Sequence, residues 1–93
     1  MLETLTFVDE NGLKCPLRCR RKDGQVWFHL RDLRTCLGVL KKPIMFQAVN
    51  VQKFNDEAHV NVHGAKYLLN ACADIPESWY FIKWFKVEVL GEA

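Results

Sequence analysis

Asp23-Gly24 lies between two segments that alternate apolar and polar residues, and this arrangement leaves residues 13–30 little choice but a β-hairpin. Leu13, Cys15, Leu17 and Cys19 are apolar at period two, while Lys14, Arg18 and Arg20 take alternate positions, the pattern of a half-buried strand. Asp-Gly accepts the positive φ angles of a two-residue primed loop, and Val26-Trp27-Phe28-His29-Leu30 reads as the return strand. Counting back from Lys22 opposite Gln25 sets Cys19 against Phe28 and Leu17 against Leu30 on a core face. It sets Arg20 against Trp27 and Arg18 against His29 on the other face, which predicts a solvent-facing patch of two arginines, an indole and an imidazole. A three-residue loop would slip the pairing by one and set apolar against polar.

The segments on either side extend this unit. Leu5-Thr6-Phe7-Val8, closed by the turn Asp9-Glu10-Asn11-Gly12, supplies a first strand and completes a three-stranded meander. After Leu30 the period changes: Leu30, Leu33 and Leu37 fall at helical spacing, with Cys36 beside them, Arg31 and Arg34 opposite, and Gly38 as the stop. Pro43 opens a second short helix carrying Ile44, Phe46 and Val49, with Lys41 and Lys42 at its entrance. Residues 53–57 read as a polar loop, and His59-Val60-Asn61-Val62 as an extended segment at the sheet edge or in a short ribbon. Gly64 to Cys72 reads as a buried helix. A last helix, from Pro76 or Glu77 to about Leu90 and capped by Asp74 or Ser78, carries Trp79, Tyr80, Phe81, Ile82, Trp84 and Phe85 and must pack. The expected architecture is therefore α+β: a small antiparallel sheet, with an N-terminal meander and β-hairpin, packed against about four helices in one domain over residues 1–93.

Charge is where the chain departs from the ordinary. The net figure is only +2, but residues 14–42 hold nine Lys or Arg against Asp23 and Asp32, a local +7, and the remainder carries −5. Such asymmetry directs a basic surface at a polyanion; the plain alternative is a solvated face. Cys15 and Cys19, four apart on one strand face, are too distant for a disulfide, and no Cys-x-x-Cys occurs, so four free thiols in a reducing compartment are expected. No apolar stretch approaches bilayer-spanning length and the N-terminus lacks a signal-peptide pattern, which predicts an intracellular protein with no membrane contact. His59 and His63 lie on extended backbone that holds their rings too far apart for one metal ion, so neither metal nor cofactor is expected. Asp9, Glu10, Asp23 and Asp32 are explained as turn or helix-start residues, and no nucleophile has a convincing base nearby, which argues against an enzyme.

The string from Leu17 through Asp23-Gly24, Trp27-Phe28 and Arg31-Asp32-Leu33 to Leu37-Gly38 resembles the Bro-N domain, the N-terminal domain of the baculovirus repeated-ORF family. Val60 to Leu69 is similar to the family's extended segment running into a helix, and Phe81-Ile82-Lys83-Trp84-Phe85 with Glu88-Val89-Leu90 to its closing helix. Val39 and Gly91 depart from the family's usual tyrosine and proline. The resemblance implies a viral or phage protein that binds DNA or acts as an antirepressor. It places the chain's end at the end of that domain, whether as an excised fragment or as a short stand-alone member, and in a host nucleus or cytoplasm.

The leading expectation is a non-catalytic module for single- or double-stranded DNA. In it Arg18, Arg20, Lys22, Arg31, Arg34, Lys41 and Lys42 neutralise phosphates while Trp27 or His29 contacts sugar or base. The alternative is a protein-interaction module of antirepressor type using the same hairpin, with Trp27 as its hot spot. Homodimerisation through a hairpin edge or the aromatic helix fits either.

Overall fold

The computed structural model describes residues 2–92; Met1 and Ala93, the ends of the expected domain, lie outside them. Strand β1 (Leu2–Val8) pairs with β2 (Lys14–Lys22), which pairs with β3 (Gln25–His29). Asp23 and Gly24 both take positive φ, 52° and 77°, and Lys22 faces Gln25, Arg20 faces Trp27 and Cys19 faces Phe28. The hairpin register thus follows the alternation. Its last two rungs do not form, because the chain leaves the strand at His29 and Leu30 already opens helix α1 (Leu30–Leu37). His29 is the N-cap: its Nδ1 accepts the Asp32 backbone N–H at 3.2 Å. Gly38, at φ 79°, ends the helix by donating its N–H to Arg34 and Thr35 carbonyls.

The sheet does not stop at the meander. Residues 53–57, expected to be a polar loop, instead turn a second hairpin, β4 (Val51–Phe54) and β5 (Glu57–Val60), through Asn55 and Asp56, which both take the positive φ that Asn and Asp tolerate best after glycine. Phe28 pairs with Val60 and His29 with His59, so the antiparallel sheet has five strands in the order β1-β2-β3-β5-β4. Of the expected extended segment, His59 and Val60 belong to β5, which forms a ribbon with β4 and is interior to the sheet, not an edge. Asn61 then caps α2 (Val62–Ala71), its side chain accepting the Gly64 N–H.

Among the described residues there are three α-helices, which corrects the expected four. Residues 43–47 are irregular and only a 3-10 turn, Ala48–Asn50, follows. The reason is the spacing: Ile44 and Phe46 turn alternately inward, an extended pattern that seats both against the core. The C-terminal helix runs as a 3-10 turn Pro76–Ser78, α3 (Trp79–Trp84) and a π-helical stretch Phe85–Val89. Neither Asp74 nor Ser78 caps it by side chain; the buried Ser78 hydroxyl donates to the Leu37 carbonyl, tying α3 to α1.

One core lies between the inner sheet face and the helices. Leu17, Phe28 and Val60 from the sheet meet Leu33, Leu37, Leu68, Leu69, Phe81 and Phe85, all essentially inaccessible. Each such Leu or Phe contributes about 1.5–3 kcal/mol on burial. Four free thiols are not found: α1 packs on β2 and brings Cys36 to Cys15 in a disulfide, Cα–Cα 5.9 Å. Cys19 and Cys72 are free and buried. With two of the four cysteines bonded, the thiols no longer point to a reducing compartment.

Candidate nucleic-acid interface

The seven basic residues expected to contact phosphate do not form one surface; the fold divides them into three groups. Strand β2 carries Arg18 to the start of α1, where Asp32 sits one turn inside the helix. The guanidinium grips that carboxylate, Nε to Oδ2 at 2.8 Å and Nη2 to Oδ1 at 3.0 Å, and the Arg18 backbone N–H donates to Oδ2 at 3.0 Å. Burial alone would raise the Asp32 carboxyl, but the hydrogen bonds from the Arg18 side chain and backbone, with the charge of the guanidinium, outweigh it and hold it below the usual carboxylate range. The bond to Asp32 raises Arg18 in turn.

His29 is enclosed, 5% exposed. With Nδ1 accepting from Asp32 N–H, its Nε2–H donates to the Glu57 carboxylate, which this bond lowers below its ordinary value. Arg18 Nη1 stands 3.6 Å from the same carboxylate. Both ring nitrogens are engaged, so His29 links α1 to β5 rather than facing a ligand.

On one side of this cluster a broad groove of about 940 Å³ runs between α1, the loop after Gly38 and the start of β5. It brings together Arg18, Arg31, Arg34 and Lys41. Arg34 spends Nη2 on the Leu40 and Lys42 carbonyls, which shapes the loop. Arg31 and Lys41 are exposed and have no carboxylate partner among the described residues. The acids of the groove, Asp32 and Glu57, are already occupied by Arg18 and His29.

The second group occupies the outer sheet face. Arg20, Trp27 and His29 do share a face, as the register requires, but the second hairpin covers it. Phe54 meets the Trp27 ring edge-on at 6.1 Å and the His59 ring at 5.0 Å, and Trp27 is only 6% exposed. The expected solvent-facing indole and imidazole are therefore corrected to a small buried cluster. Arg20 lies 4.8 Å above the Phe54 ring and Lys22 5.4 Å from it. His59, also buried, donates Nδ1–H to the Glu57 carbonyl, and burial lowers its pKa.

Lys42 forms the third group alone. Its Nζ donates to the Ala71 carbonyl at 2.7 Å, neutralising the C-terminal end of α2. Asp32 and Glu57 are the functional neighbours that sequence reasoning missed. Asp32 was visible as a helix-start acid, and Asn55-Asp56 was the one signal that Glu57 begins a strand.

Among the described residues no helix is long and apolar enough to cross a membrane, and no three His, Cys, Asp or Glu cluster as metal ligands. Compared with known proteins, the chain matches no family model, no curated protein and no solved structure.

Proposed function

We propose that the chain is a Bro-N-like nucleic-acid-binding module whose phosphate-contacting surface is the α1 groove, serving regulation of viral or host transcription or replication. The observation that carries this reading is the pair Arg31 and Lys41, without a carboxylate partner among the described residues, in a groove whose own acids are already engaged by Arg18 and His29. A polyanion entering it meets two available cations, the outer part of Arg18 and the spare nitrogens of Arg34. Arginine suits this role because its planar fork grips phosphate oxygens. Trp27 and His29 drop out as base contacts, and Lys42 as a phosphate contact, because the fold already uses them. Binding is thus backbone-directed and tolerant of sequence.

Amide chemical-shift mapping tests the location. Adding duplex DNA is expected to move the resonances of residues 31–35 and 40–41, leaving Trp27 and Phe54 unmoved; shifts centred on the hairpin tip would refute the assignment. A second reading, an antirepressor-type protein-interaction module, is favoured by a separate observation: Met45, Val49 and Tyr67 are exposed by 88%, 75% and 53%.

A further inference from the structure

The C-terminal helix presents two stripes. Phe81 and Phe85 face the core and are buried. Trp79, Ile82, Lys83, Lys86 and Val87, at i, i+3, i+4, i+7 and i+8, form a second stripe that faces outward. This stripe lines an apolar groove of about 470 Å³, closed at its other wall by Ala73. Trp79 is 56% exposed and Val87 44%, an arrangement that no core requirement explains.

The groove is ready-made in two respects. The Trp79 indole N–H donates to the Ala73 carbonyl at 2.7 Å, so the ring is held in place before any partner arrives. Lys83 and Lys86 stand exposed on its rim without a carboxylate partner among the described residues, while Glu92, the one acid among the described residues that line it, is 3.4 Å from Lys66. An apolar floor with a tryptophan anchor and a cationic rim is complementary to apolar side chains flanked by carboxylates.

We infer that this stripe docks an acidic amphipathic helix of another protein, its apolar side chains on Trp79, Ile82 and Val87 and its carboxylates on Lys83 and Lys86. The site is on α3 and the π-helical stretch after it, separate from the α1 groove, and the inference stands whether or not that groove binds DNA. The exposed Met45, Val49 and Tyr67 carry no charge pattern and so give no comparable description of a partner.

Isothermal titration of the full chain with a synthetic helix of roughly four turns, leucine on one face and glutamate on its flanks, tests the inference. Lys83→Glu/Lys86→Glu should weaken binding by about tenfold and restore it toward a lysine-flanked version of the same peptide. Val87→Asp, which leaves the Trp79–Ala73 bond intact, should abolish both. Equal binding of a scrambled acidic peptide, or no binding, overturns the inference. So does a wild-type dimer that dissolves in the charge-reversed variant, which would make the occupant a second copy. A loss of duplex DNA affinity in that variant equal to that of Arg31→Ala/Lys41→Ala would assign the lysines to the nucleic-acid surface instead.

Discussion

Arg18 and Asp32, 14 residues apart, are joined by three hydrogen bonds, two from the guanidinium and one from the Arg18 backbone N–H. This contact fixes the start of α1 against β2, and it decides how much positive charge the groove presents. Asp32→Ala should therefore have opposite effects on two measurements. Stability should fall by about 1–2 kcal/mol, a modest figure because Arg18 is 53% exposed and the pair is screened. Affinity for duplex DNA should rise at low salt, because Arg18 is released into the groove. Urea denaturation and anisotropy on the same sample check both signs; a loss of affinity in a folded variant would contradict the account.

The pH dependence of stability should carry the signature of His59. Burial holds its folded-state pKa below the ordinary 6.5, so the unfolded chain binds the proton more readily. Its contribution is complete above 6.5 and is lost as pH falls through that value toward the folded pKa. The lowered Asp32 carboxyl contributes in the same direction further down, its share being lost as pH falls through the usual carboxylate range toward its lower folded value. Denaturation midpoints from pH 8 to pH 5 should fall in the wild type and flatten in His59→Gln; parallel curves would remove His59 as the cause.

The disulfide between Cys15 and Cys36 closes a separation of 21 residues. By chain-entropy reasoning, Cys15→Ser/Cys36→Ser should cost about 3 kcal/mol. Thiol titration of the denatured, unreduced protein should give two thiols, from Cys19 and Cys72, and not four.

Of the five glycines, only Gly64 has atoms within 4 Å of where a Cβ would stand. A Cβ built there would lie 2.9 Å from the Val60 Cβ and 3.3 Å from the Asn50 carbonyl oxygen, so α2 can seat on β5 only without it. Gly64→Ala should cost about 1–3 kcal/mol, read from thermal or urea denaturation. An unchanged midpoint would show that α2 has room to move.

The local devices were legible in the sequence and the long-range ones were not. Asp23-Gly24, the alternation about it and Gly38 fixed turn, register and helix stop because each is decided within a few residues. What the outer face of the hairpin would meet was decided by Phe54 and His59, more than twenty positions on, and alternation says only which residues share a face. Asn55-Asp56 turns without a glycine, so its hairpin looked like a polar loop. Strand spacing excludes Cys19 as the partner of Cys15 but says nothing of Cys36, which reaches it from a helix. The division of the arginines into free and engaged followed from Asp32, Glu57 and the loop carbonyls, none of which charge counting registers.

The most direct measurement is fluorescence anisotropy of labelled single- and double-stranded DNA over a salt series, comparing wild type with Arg31→Ala/Lys41→Ala. The wild type should lose log affinity linearly with log salt, and the variant's slope on duplex should be shallower by about 2, roughly 0.9 for each phosphate contact removed. No binding at low salt, or an unchanged slope in the variant, would contradict the groove as a phosphate-binding surface.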